Sequence, residues 1–301
     1  MTPVASRTPV LVLAWVVVVA ASALPRVVVQ EVLRLEVGED ARSVAAASVV
    51  VVGLVAAAAW ARLRPLVPFL VVLGALVGAE WLVFRVVDRA PAYRAWLSDP
   101  SFPTYMLAEQ SLRLMVTALV VVALLLRRRP ESFYLAFGDL RAPVGPLRWL
   151  GVRTGTRWSR FGPVAAAALG AGTLVFLLAA GRPGPDLLVR AAPFLPAVLV
   201  TAALNAFNEE VTYKASLLGV LESPVGPSQA LWLVSAYFGL GHYYGVPYGL
   251  VGVAMAAFLA WLLGRSMLET RGLFWAWFIH FWQDVLIFSF LALGSVTPGG
   301  A

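Results

Sequence analysis

Six ionisable side chains in the second half of the chain have the types and spacing for acid–base chemistry. Glu209 and Glu210 follow the apolar run AVLVTAALNAF, and Lys214, the only lysine among 301 residues, comes one turn later. The only two histidines are His242, within FGLGHYYG, and His280, within WAWFIHFWQD, with Asp284 four residues beyond. A carboxylate flanked by imidazoles in a water-poor site can take a proton from water and return it, which is the core of general acid–base hydrolysis. The absence of cysteine removes thiol nucleophiles, thiolate metal sites and disulfides from consideration.

Helical spacing sorts these groups. Glu210 and Lys214 form an i,i+4 pair with the acid on the N-terminal side, the better orientation for an ion pair. His280 and Asp284 share one helix face at the same spacing, and Phe238 stacks one turn below His242. Glu209 projects about 100° from Glu210, so the two carboxylates meet different neighbours. From Glu209 to the turn near Glu222 is roughly 20 Å of helix, and so is the return from Gln229 to His242. These two groups therefore come back to one level on adjacent antiparallel helices. His280 stands about 12 Å above its own turn near Gly272, somewhat lower than the other two. Four ionisable side chains from three crossings are thus expected around one hollow within the lipid layer.

The elements that must position them are membrane helices. Apolar residues make up 60% of the chain and charged residues only 13%, and the mean hydropathy is +0.83. Each crossing needs about 20 mostly apolar residues. Candidates run over 9–24, 44–61, 66–86, 105–126, 161–180, 191–210 (continuing as helix to about 222), 229–244, 248–264 and 273–294. The expected fold is an all-α polytopic bundle of eight or nine spans, with 229–244 short enough to be tilted or re-entrant. Soluble enzymes and nucleic-acid readers are excluded, and membrane lipid is the expected surrounding. Ionisable groups at bilayer depth mark a functional site by default.

Arginine placement sets the expected sidedness. Segment 127–160 holds eight arginines (127, 128, 129, 141, 148, 153, 157 and 160) against Glu131 and Asp139. Placing it in the cytoplasm also puts Arg7, Arg62, Arg64, Arg265 and Arg271 there. The 26–43 loop, with three arginines against Glu31, Glu36, Glu39 and Asp40, then lies outside, giving N-in and C-out. The first apolar run follows Arg7 and ends in Ala21-Ser22-Ala23; an uncleaved signal anchor is preferred over a cleaved signal peptide. The excess of arginine over lysine, with abundant Ala, Val and Gly, suits GC-rich coding and a prokaryotic plasma membrane. Three regions follow: N-terminal membrane helices of unassigned role (1–126), a basic cytoplasmic loop (127–160) and a membrane core bearing the chemistry (161–301).

Within this frame several features read as structural. Gly74 and Gly78 form a GxxxG that favours close helix packing. Glu109 and Arg113 repeat the i,i+4 pattern as a structural pair, and Glu80 stands alone on the third span facing the bundle or an interface. Trp149 and Trp158 are expected to anchor the basic loop at the membrane interface. Phe274, Trp275, Trp277, Phe278, Phe281 and Trp282 are expected to face lipid or that interface.

The ordered segments Glu209-Glu210-Val-Thr-Tyr-Lys214, Phe238-Gly-Leu-Gly-His242 and His280-Phe-Trp-Gln-Asp284 resemble the CPBP intramembrane proteases, the CAAX-protease and bacteriocin-processing (Abi) family. That family's pattern is EExxxR, then FxxxH, then HxxxN or HxxxD, on successive membrane helices. The resemblance spans roughly 190–290. It implies an endopeptidase acting on a hydrophobic or membrane-anchored peptide, with Glu209 as general base assisted by His242. It further implies that His280 and Asp284 position water or stabilise the oxyanion, and that Glu210 and Lys214 support them as an ion pair. Some members were long described as metalloproteases, and Glu209, His242, His280 and Asp284 could hold Zn²⁺. Without an HExxH pair, the metal-free glutamate mechanism is the expectation, with no cofactor.

Two departures stand out. Lys214 replaces the family arginine, keeping the charge and losing the planar fork. Asp284 stands where the CAAX-processing branch prefers Asn; it must be protonated, orient His280 or bind a cation. This weakens the implication of prenyl-protein processing. Two other functions stay open: a proteolytically silent relative that binds a peptide or partner, as an immunity or scaffolding factor would, and a proton-coupled carrier. The carrier is disfavoured because the charged spans concentrate in one half, without paired repeats.

Overall fold

The computed structural model describes residues 8–38, 40–98, 101–126 and 133–295. In lipid every backbone N–H and C=O must find a partner inside its own segment, so apolar runs of this length become helices. Helices make up most of the described chain outside 133–157, and no strand occurs among the described residues beyond two isolated bridges. They are α1 (Thr8–Ala21), α2 (Leu24–Val27), α3 (Ala41–Ala59), α4 (Val67–Leu82), α5 (Pro91–Trp96), α6 (Phe102–Leu125) and α7 (Trp158–Gly181). The second half adds α8 (Pro185–Ala191), α9 (Leu195–Glu209), α10 (Ser216–Val225), α11 (Pro227–Gly241), α12 (Leu250–Thr270) and α13 (Phe274–Ser295). The chain is a polytopic helical membrane protein. Among the described residues seven helical stretches are long and apolar enough to span, and the pair 8–21 and 24–32, bent by 51°, makes eight if counted as one span.

The exception is α11. Its fifteen residues span roughly 22 Å, short of a hydrocarbon core of about 30 Å. It is held between α10 and α12, where Gly239 lets the backbones meet: a Cβ there would sit 2.6 Å from that of Ala257. Of the GxxxG pair, Gly74 meets Val50 of α3, while Gly78 has nothing within 4 Å, so only its first glycine serves packing.

Residues 133–157 pack against one end of the bundle. Arg271 grips Glu222 with both terminal nitrogens, at 2.7 and 2.8 Å, and the Tyr134 hydroxyl donates to the same carboxylate. Burial and this hydrogen bond raise the Tyr134 phenol above its ordinary value. Trp158, expected at the membrane interface, is instead fully buried, its indole N–H donating to Glu269 at 2.8 Å. Trp149 is 65% exposed and leans on Phe258 and Trp261. On α13, Trp275 is buried and Phe274, Trp277, Phe278 and Phe281 are half-buried. Trp275 and Trp277 donate to the Leu140 and Ala203 carbonyls, and of the six aromatics only Trp282 is exposed. Indole N–H groups need acceptors that lipid tails lack, which draws them toward protein backbone. Arg7, Glu39, Arg127, Arg128, Arg129 and Glu131, counted in the loop charges, lie outside the described residues.

Candidate active site

A π-helical turn, Glu210–Ala215, joins α9 to α10; its Ser216 N–H donates to the Val211 carbonyl, an i→i+5 bond. Such a turn inserts one extra residue into a helix and re-aims what flanks it. Here it begins at the second of the two adjacent glutamates, which diverge as successive helical positions do. Glu210 turns into the protein and is wholly buried, while the Glu209 side chain keeps 12% exposure.

Glu210 is the hub of the inner layer. Its Oε1 accepts from Lys214 Nζ at 2.7 Å and from His280 Nδ1 at 2.6 Å, whereas Oε2 is buried with no hydrogen-bond partner. Lys214 is fully buried, its ammonium 3.4 Å from the centre of the Phe238 ring, where the ring's negative face complements it. The other nitrogen of His280, Nε2, lies 3.7 Å from Glu209 and 3.6 Å from Asp284. Asp284 accepts in turn from the Asn205 amide at 3.0 Å. A buried polar chain continues outward: Asn205 accepts from Gln110, Gln110 from Asn208, and Asn208 from Thr117. His280, expected slightly below the glutamates, is at their level.

His242 caps α11. Helix ends leave carbonyls without partners, and here the His242 backbone N–H goes to Gly239. The imidazole Nδ1–H serves the Phe238 carbonyl instead, at 2.9 Å. A carbonyl can only accept, so Nδ1 carries a proton in that bond and Nε2 takes no part in it. The ring stacks on Phe238 with centroids 4.3 Å apart.

Glu209 and His242 line one cavity of about 640 Å³. Its walls include Arg113, Tyr213 and Phe238, and it extends to the exposed segment at Val37 and Gly38. Glu210, Lys214, His280 and Asp284 are not among the lining residues; they form a layer behind Glu209. The cavity also holds groups read from sequence as structural. Arg113 keeps its Glu109 partner at 3.0 Å and reaches Glu209 Oε1 at 3.5 Å. Glu80 lines the cavity and accepts from the Tyr213 hydroxyl at 2.6 Å, with Arg42 at 4.0 Å. No periodic pattern ties Arg113 to Glu209 or Glu80 to Tyr213, so sequence spacing gives no sign of either contact.

Among the described residues no group of three or more His, Cys, Asp or Glu side chains is arranged to hold a metal ion. The donors considered for zinc are divided between cavity wall and inner layer, and the cations Lys214 and Arg113 stand among them.

Fold and site together define a polytopic helical membrane protein with a carboxylate–imidazole cluster at an open cavity. Residues 191–286, about a third of the chain, are similar to the type II CAAX prenyl endopeptidase Rce1-like proteins, whose family model they match. The matched stretch carries Glu209, Glu210, Lys214, His242, His280 and Asp284, and omits Arg113 and Glu80. No curated protein and no solved structure matches the chain.

Proposed function

We propose that the protein is an intramembrane endopeptidase whose general base is Glu209, acting with His242 on a water held in the cavity. The observation that carries this reading is that Glu209 and His242, from two motifs 33 residues apart, line one cavity while Glu210, His280 and Asp284 back Glu209. In the reaction, water gives a proton to Glu209 as its oxygen adds to the scissile carbonyl carbon, whose π electrons move to oxygen. The tetrahedral species collapses as Glu209 returns the proton to the leaving nitrogen and the C–N bond breaks. His242, with Nε2 free, orients the water; His280 holds Glu209 from behind and Asp284 holds His280. The substrate is a hydrophobic or membrane-anchored peptide. With the N-terminus in the cytoplasm, the cavity is entered from the outer side.

The test is Glu209→Gln, which keeps shape and removes the base. The probe is a farnesylated peptide with a CAAX-type C-terminus and a fluorophore–quencher pair across the scissile region, cleaved by protein in proteoliposomes. Loss of the base should lower kcat about 10²–10⁴-fold. Cleavage at the wild-type rate by E209Q, or an intact peptide with wild-type protein, overturns the reading.

A further inference from the structure

We infer that Arg113 of α6, outside the family-matched stretch, is a positioning residue for Glu209. The inference rests on the protease reading and extends it to the N-terminal half of the chain.

The first observation is where the cations of the site go. Lys214, in the place of the family arginine, is wholly committed to Glu210 and the Phe238 ring. Among the described residues no lysine or arginine of the matched stretch pairs with Glu209; the guanidinium that does is Arg113, 3.5 Å from Oε1. The second is how that guanidinium is held. Glu109, one turn earlier on α6, takes the Arg113 Nε at 3.1 Å and Nη2 at 3.0 Å, leaving Nη1 for Glu209. A planar fork fixed on one edge presents its remaining edge in a set direction. The third is the division of the Glu209 carboxylate: Oε1 faces Arg113 and Oε2 faces His280 at 3.7 Å. Clamped from both sides, the carboxylate has one orientation toward the cavity. When it takes a proton and its charge reappears on the tetrahedral oxyanion, Arg113, itself a cavity-lining residue, stays beside that charge.

Arg113→Gln and Arg113→Lys are compared with wild type and E209Q on the same farnesylated peptide. Misplacing a reacting group by about 1 Å costs roughly 10²-fold, so R113Q should lower kcat about that much with KM within a few-fold. R113K, which keeps the charge without the fork, should fall between. A substrate-free double-mutant cycle on thermal unfolding in detergent reads the pair directly: R113Q should cost less in an E209Q background than alone. Wild-type kcat in R113Q, parallel losses in kcat and binding, or strict additivity in the cycle overturns the role of Arg113. If E209Q is silent and R113Q is fully active, only this inference falls; if wild type leaves the peptide intact, the protease reading falls first.

Discussion

Lys214 shows at the level of single residues what a membrane core demands of a charge. Its ammonium has no exposure, and Glu210, His280 and Phe238 account for its surroundings. Removing one partner of a buried pair strands the other, at a cost on the order of 3–5 kcal/mol, whereas removing both is often far less harmful. Lys214→Met should therefore lower the thermal midpoint in detergent steeply. Adding Glu210→Gln should recover much of that loss. If the double variant is worse than the sum of the single ones, the two side chains do not act as a pair. This pair was legible from sequence because i,i+4 spacing is local. So was the stacking of Phe238 on His242. The contact of Arg113 with Glu209 was not, because 96 residues separate them and only helix packing brings them together. Glu109 supplied a complete local explanation for Arg113 and concealed its second partner.

Helices were legible as apolar runs, because hydrocarbon leaves the backbone no other choice. Their irregularities were not: the 51° bend after α1 and the π turn after Glu209 have no signal in hydropathy. Yet the π turn sits in the site, between Glu209 at the cavity and Lys214 in the inner layer. Deleting Val211 should remove the extra residue and restore regular α-helix. The spacing from Glu209 to Lys214 would then shorten from five residues to four. Circular dichroism should show unchanged helix content, while peptide cleavage falls, because Glu209 then stands i,i+4 to Lys214 and is drawn from the cavity. Val211→Ala, which keeps the turn, should retain cleavage. An active deletion variant would mean that the turn does not position Glu209. The inward indoles of α13 carry the same lesson. An aromatic-rich face suggests lipid in sequence, but each buried N–H needs an acceptor, and the Leu140 and Ala203 carbonyls supply them.

Across the whole molecule, the cavity and the basic segment lie at opposite ends of the bundle. About 20 Å of helix separates Glu209 at the cavity from Glu222, where Tyr134 and Arg271 clamp the basic segment. Whichever side holds the arginines of 133–160, the cavity is therefore approached from the other. If the excess of positive charge marks the cytoplasm, peptides reach Glu209 from outside, and sidedness becomes a statement about substrate. The chain contains no cysteine, so one introduced thiol reports its own side without background. Glu36→Cys, on the exposed segment near the cavity entrance, and Thr154→Cys, in the basic segment, are both at exposed positions. In intact cells a membrane-impermeant maleimide should label E36C, and T154C should be labelled only after permeabilisation. The reverse pattern would place the cavity entrance in the cytoplasm and make cytoplasmic peptides the substrates to test. Labelling of both in intact cells would break the argument at its root, because the two ends of the bundle would then share one side.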